Sequence, residues 1–473
     1  MKIFAGYSKK YLNQLTIINF VNVKVFTLLF FFIFPALFFS QSENINVLSH
    51  WTKTGLPTTY DGESVFNEVW GVEVNGENYA IIGSTLGTHI LRVNQNNQLE
   101  EIHFVMGKYA GVDAIHRDFH DYKGYLYAVC DENYSSLQIM DLHFLPDSVP
   151  VLYDSDSLII RAHNIFIDTA KSKLYACAVA TSSGFHAMSV YDINNPIEPN
   201  ILYHYDNVSH VHDAYVYNDT AFLNCGNEGL KVIRSVTTGA STVPVQIGEL
   251  SIYPFKGYNH SGWLNEAKTT YVMCDETPGM DVKVLDVSDL NNITVSSTFS
   301  TGFYDNTLPH NVIVRGDVAY VSYYNDGVHV YDIKNPSQPK RLGYYDTYPG
   351  SNDKIYRGVW GVYPIGNGNE ILVSDRTYGL YLMSFDPPPL INSNPYYIFP
   401  NPAEGYIYFY RDHVGEADYQ LEIYDAIGKR VRQYNCYNDY KKIDLSSFNT
   451  GIYIIKYMPN NDNVVLTAKF FVK

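Results

Sequence analysis

The sequence predicts an all-β protein, a seven-bladed β-propeller followed by a small C-terminal β-sandwich. Three observations carry this. One motif recurs every 46 to 50 residues or so between about residues 65 and 385. Each copy reads as several short strands, which is the mark of a propeller blade rather than a helical solenoid. Beyond a run of prolines the texture changes to a second, unrelated set of short strands.

The cleanest copy is HNVIVRGDVAYVSYYNDGVHVYDIKNPSQP, from His310 to Pro339. Its opening position recurs as Trp70, Arg117 (preceded by His116), His163, His212, His260, His310 and Trp360. An innermost strand follows that position. An aromatic-led second strand comes next, as in YLYAVC, KLYACAV and VAYVSY, then a β-branched third strand such as AMSVYDI or GVHVYDI. The fourth is more polar, as in NILYHYDN and KRLGYYDT. Asn-Pro between the third and fourth strands fixes a turn, and Asp192 and Asp332 stand where a carboxylate accepts the turn's backbone N–H. The seventh repeat stops at GLYLMSF, Gly379 to Phe385, so Asn46 to Gly55 is expected to supply its outer strand and remove the open edge. Six complete blades with irregular ends is the rival arrangement.

The expected organisation is a signal peptide over 1–40, the propeller over 41–386, a Pro-rich linker over 387–395 and the sandwich over 396–473. Lys9, Lys10 and Lys24 precede the apolar run Val25 to Phe39, which has the length of a signal-peptide core and is short for a membrane span. An uncleaved anchor is the alternative there. A chain starting near Gln41 or Ser42 is expected to hold no integral membrane span. Asp plus Glu number 49 against 33 Lys plus Arg, a formal net charge of -16, which argues against a nucleic-acid partner. Cys130, Cys177, Cys225 and Cys274 hold near-equivalent places in successive repeats. Equivalent points on neighbouring blades are too far apart for a disulfide, so these four read as small buried packers.

No GxSxG, HExxH, Walker or EF-hand pattern is present. The one constellation with metal chemistry is His163, His212, His260 and His310, at the same position of four consecutive repeats, where side chains converge on the propeller axis. Neutral imidazoles there would hold Fe, Cu or Zn, with His116, His120 and His210 near enough to join or orient them. The competing reading is that each imidazole bonds the next blade's backbone, and Trp70 and Trp360 at equivalent positions fit that better. No other cofactor is indicated. The acidic loops after the second strands, Cys130 to Asn133 and Cys274 to Thr277, should open on the same face. Candidates for that ligand face are Trp70, His116, Arg117, Asp131, Glu132, Asp275, Glu276 and Trp360.

The repeat, with its LVIVD-like third strand and the D-I-x-N-P-x-x-P turn, resembles the LVIVD-repeat family. The blocks VWGVEVNGENYAIIGSTLGT, RDFHDYKGYLYAV, AHNIFID, GWLNE and RGVWGVYP, in that order, are similar to bacterial "choice-of-anchor B" proteins. That resemblance implies a secreted or surface propeller without an agreed activity. Pro400-Asn401-Pro402, IYDAIGK and LSSFNTGIY resemble the type A sorting domain of type IX secretion cargo in Bacteroidetes. The resemblance implies a partner, the type IX machinery, and passage across the outer membrane; a retained adhesive sandwich is the alternative. Function then reads as a non-enzymatic module for an unknown protein or glycan ligand, with a metal-dependent enzyme as the alternative.

Overall fold

The computed structural model describes residues 42–60, 62–348, 356–366, 368–386, 396–411, 418–437, 440–459 and 466–473. The expected signal peptide and Pro-rich linker lie outside these residues. The described residues contain no helix long and apolar enough to cross a membrane.

Seven antiparallel sheets form the blades, with innermost strands Phe66–Val74, Arg117–Tyr122, Asn164–Asp168, Asp213–Tyr217, Asn259–Leu264, Val312–Arg315 and Val359–Ile365. The second strands, such as Tyr125–Cys130 and Thr270–Asp275, are buried along nearly their whole length. This is why they read as continuous apolar runs rather than alternating ones. The core lies between blades: Val272 and Val284 pack with Val312 and Ala319, and Tyr127 and Ile139 with Ile165 and Ala176. Each such valine or isoleucine contributes roughly 1.5–3 kcal/mol when fully buried. Cys130, Cys177, Cys225 and Cys274 are buried, free thiols within these layers.

In all seven blades the pairing of third and fourth strands carries a register shift, for example between Val190 and Tyr191, Val284 and Leu285, and Val330 and Tyr331. A bulge bends the outer strand and raises its twist, which lets each blade fan outward from the axis. Ile45–Trp51 pairs antiparallel with Gly379–Phe385 and supplies the fourth strand of the seventh blade. Ser42–Glu43 continues past it to pair with Lys340–Tyr345 of the sixth. The amino-terminal segment thus stitches two blades.

The C-terminal domain has its own core, including Ile407, Phe409, Leu421, Ile455 and Phe470. Its two sheets share the strand Tyr396–Glu404, which pairs with Tyr406–Arg411 and then, at Ala403, runs parallel to Leu466–Val472. At the crossing, Asn401 Nδ2 donates to Lys469 O at 3.2 Å and its Oδ1 accepts from Phe471 N at 2.9 Å. The asparagine between two prolines thereby supplies the polar contacts that a proline nitrogen cannot.

Candidate functional site

The innermost strands all start on one face, and there six rings close around the axis. Centroids of His116 and His163 lie 4.9 Å apart, His163 and His212 4.1 Å, His212 and His260 4.0 Å, and His260 and His310 4.4 Å. Trp360 completes the circle, 4.7 Å from His310 and 5.4 Å from His116.

Four of the five imidazoles have Nδ1 bound by the protein. His116 Nδ1 meets Glu132 Oε1 at 2.6 Å, and His163 Nδ1 meets Asp131 Oδ2 at 2.7 Å. His212 Nδ1 donates to the backbone carbonyl of His260 at 3.1 Å, and His310 Nδ1 to that of Trp360 at 2.6 Å. A carbonyl accepts only from N–H, so His212 and His310 carry their proton on Nδ1 and leave Nε2 as a lone pair. The fifth, His260, is the exception. Its Nδ1 lies toward the His310 carbonyl without forming a hydrogen bond, and Ser261 Oγ takes that carbonyl at 2.6 Å. Its Nε2 stands 3.8 Å from Glu276 Oε2. A buried imidazole with no hydrogen bond loses on the order of 1–3 kcal/mol of solvation without compensation.

One residue further along the strands, or two in the second blade, is a polar belt: Glu68, Asp118, Asn164, Asp213, Ser261 and Asn311. Asp118 Oδ2 accepts from Ile165 N at 2.6 Å, and Glu68 Oε2 from Asn311 Nδ2 at 2.8 Å. Gly361 completes the belt, where a Cβ would collide with the Glu68 carboxylate. Between imidazoles and belt lies a cavity of about 60 Å³, with Tyr324, Glu276 and Trp360 also in its wall. That is space for one or two waters or an ion, not for a sugar. Burial, reinforced by the charge of Asp213, pushes the Glu68 carboxyl up to about 7. Burial alone raises Asp213 to about 7. Asp118 is held well above the usual carboxylate range by burial and by Glu68. Burial and neighbouring imidazoles press His212, His260 and His310 well below the ordinary range, so they are neutral at pH 7.

Several candidates take places that differ from the sequence expectation. Trp70 is not in the ring. Its Nε1 donates to Asp121 Oδ1 at 2.9 Å, and it packs on His120 and Tyr363 in an aromatic layer further down the channel. A register shift between Phe66 and Val69 is the reason: it gives the ring position of the first blade to Asn67, three residues before Trp70 as Trp360 is before Tyr363. Arg117 turns away, its guanidinium donating to Ser84 O and Tyr109 O at 2.7 Å each, and His116 fills the ring in its stead. Asp275 is fully buried. It pairs with buried Lys283 at 2.8 Å and accepts from Tyr253 Oη at 2.9 Å and Gly257 N at 2.8 Å. Asp131 and Glu132 orient His163 and His116, and Glu276 accepts from Tyr324 Oη at 2.6 Å. His120 sits in the aromatic layer against Phe166, and His210 lies beside His212 with centroids 5.7 Å apart. The acids Glu68, Asp118 and Asp213 are absent from the sequence reading, although Arg117-Asp118 and His212-Asp213 put a carboxylate directly after the opening position.

Comparison with known proteins bears on both domains. Residues 397–473 match the family model of the secretion system C-terminal sorting domain. The tail is a C-terminal sorting domain. It implies type IX secretion and a secreted or cell-surface location. The solved structure of PorZ, described as an essential bacterial surface component of the type-IX secretion system of Porphyromonas gingivalis, is similar with TM-score 0.50 and 11% identity. The likeness covers 89% of this chain and 61% of PorZ, so the chain spans about three fifths of PorZ's length. The Pan2 WD40 domain of Neurospora crassa gives TM-score 0.47 and 13% identity over 72% of this chain and 95% of its own. At such identity the PorZ likeness speaks for the propeller fold alone. No curated protein matches the sequence.

Proposed function

We propose that this exported propeller is a binding module that engages a protein or glycan outside the cell through the face carrying the histidine ring. The observation that carries the reading is where exposed apolar side chains lie. Tyr60, Val112, Tyr134, Ile252, Phe255, Tyr304 and Tyr356 all stand on loops of that face, with Tyr134 79% and Phe255 72% exposed. At the opposite face, among the described residues, Phe144 is exposed on a loop, Tyr217 at the end of an innermost strand, and Val236, Val243 and Val245 on the long hairpin of the fourth blade, so the exposed tyrosines and phenylalanines are concentrated on the histidine face. Clustered exposed aromatics mark recognition surfaces, since a tyrosine contributes a large rigid contact with a polar tip. The resemblance of the repeats to LVIVD and choice-of-anchor B proteins agrees with a surface role.

The test uses the secreted chain against glycan arrays and surface extracts. Phe255→Ser and Tyr134→Ser should each weaken capture about tenfold or more, as central aromatic contacts do, while Phe144→Ser leaves it unchanged. Capture that is indifferent to the first two defeats the reading. Removing 397–473 should keep the propeller from the cell surface, and a truncated chain still displayed there would defeat the export route.

A metal-dependent enzyme is the second reading. The fixed Nδ1 positions favour it, because metal-binding imidazoles usually have their other nitrogen held by a carboxylate or carbonyl. It further requires an open coordination position and turnover of some substrate that is lost with the metal.

A further inference from the structure

We infer that the axial cavity is a binding site for one first-row divalent metal ion, with His260 Nε2, His310 Nε2 and a Glu276 carboxylate oxygen as its protein ligands. This deepens the binding-module reading and rests on the histidine face being the working surface. Two triads among the described residues bring all their ligand atoms within 4.8 Å of one another, His260–Glu276–His310 and His116–Asp131–His163. The four imidazoles of successive blades do not form one such set, and His212 belongs to neither.

Three observations select the first triad. Its donors are already in the required chemical form. His310 Nδ1 is committed to Trp360 O at 2.6 Å, so Nε2 is the lone pair, and Glu276 is steadied by Tyr324 Oη at 2.6 Å. In the second triad Asp131 is consumed as the partner of His163 Nδ1, and Arg161 Nη1 lies 3.6 Å from its other oxygen. Next, His260 is 5% exposed and its Nδ1, alone among the Nδ1 atoms of the five imidazoles, has no hydrogen bond. A brace between blades explains His212 and His310; it does not explain why the Nε2 of His260 faces a carboxylate. Finally, the 3.8 Å from His260 Nε2 to Glu276 Oε2 is close to the separation of two ligands on one ion. Bonds of 2.0–2.1 Å at a tetrahedral centre put ligands about 3.3 Å apart, so an ion would draw the pair together by roughly half an ångström.

Two imidazoles and one carboxylate make a ligand set for zinc or non-haem iron that leaves positions open. Those positions face the cavity of about 60 Å³, which has room for a coordinated water or one small donor atom of a bound partner. His212, whose Nδ1 holds the His260 carbonyl at 3.1 Å, is a positioning residue.

The experiment is titration of the chelator-treated full-length secreted protein with Zn²⁺ by calorimetry and with Co²⁺ by its visible absorption. One ion per chain is expected, with Co²⁺ bands of low-coordinate nitrogen and oxygen ligation. Glu276→Gln and His310→Ala should each weaken Zn²⁺ binding about 100-fold or more, at least the top of the range seen when mere supporting partners are removed. Asp131→Asn should change it less than about threefold. Circular dichroism of each variant establishes that it is folded, and Glu276→Gln conserves shape should His310→Ala fail to fold. Absence of binding by either ion overturns the site. So does affinity unaltered in folded Glu276→Gln, or an equal loss in Asp131→Asn, which would move the ion to the other triad. Protein that binds neither ion yet captures its partner overturns the metal site and leaves the binding surface standing; metal bound with no partner captured does the reverse.

Discussion

Where a third strand turns into a fourth, on the face away from the histidines, Asp192 Oδ1 accepts from Asn194 N at 2.7 Å and Asp332 Oδ1 from Lys334 N at 2.8 Å. Where a second strand turns into a third, on the histidine face, the aspartates reach much further. Asp275 binds Tyr253 and Gly257, Asp326 accepts from Thr301 Oγ1 at 2.8 Å, and Asp375 from Thr347 Oγ1 at 2.5 Å. Each of these three braces the loop arriving from the preceding blade. At the third-to-fourth turns these carboxylates close their own turns, and at the second-to-third turns they tie separate blades together and hold exposed side chains such as Ile252 and Phe255 in place. The same residue type at two ends of one repeat does different work because the partner's distance along the chain differs. Local turns are saturated by their neighbours, whereas the loops at the histidine face must find partners across blades.

The strongest way to break this comparison is to orphan a brace. Lys283→Met leaves the buried Asp275 carboxylate without its cation and should destabilise the propeller by about 3–5 kcal/mol, read by chemical denaturation. If the loss were no greater than for Lys231→Met, whose partner Glu249 is half exposed, the buried centre at Asp275 that holds the brace would count for little. That surface pair should contribute about 0–1 kcal/mol.

Next in size is the acid belt. Glu68 ionises near 4.5 when unfolded and near 7 when folded, so the native state holds the extra proton and stability falls as pH rises between those values. Glu68→Gln removes that penalty. The variant should match the parent near pH 4 and exceed it by about 3 kcal/mol at pH 8, measured by unfolding at both pH values. The buried imidazoles drive the opposite trend, their stability being lost as pH falls below the unfolded value near 6.5; they are common to both proteins and cancel in the difference. A variant weaker than the parent at pH 8 would mean that ionised Glu68 is itself stabilised in the cavity.

The smallest effect belongs to the opposite face. Asp332→Ala loses one charge-assisted bond in an exposed turn and should cost about 1 kcal/mol, read as a shift of the denaturation midpoint. A loss as large as that of Lys283→Met would erase the distinction between the exposed turn carboxylates and the buried Asp275.

Periodicity by itself pointed to the blades, the strand order within them, the buried cysteines and the histidine convergence, because each repeat of short apolar strands can bury its faces only against the next copy. The motifs of the tail similarly identify the sorting domain, whose match over 397–473 agrees with them. Only the tertiary structure decided which side chains meet at the axis. A register shift near Phe66 moved Trp70 below the ring, and the pull of two carbonyls in the first blade drew Arg117 out and let His116 in. Tertiary structure also separated Glu276, which faces an imidazole, from Asp275, which lies buried against Lys283 one residue earlier. Adjacent residues in a strand point to opposite sides, and a one-residue shift exchanges them. Spacing along the chain fixes the period only to within a few residues, and that remaining latitude decides which groups face the cavity.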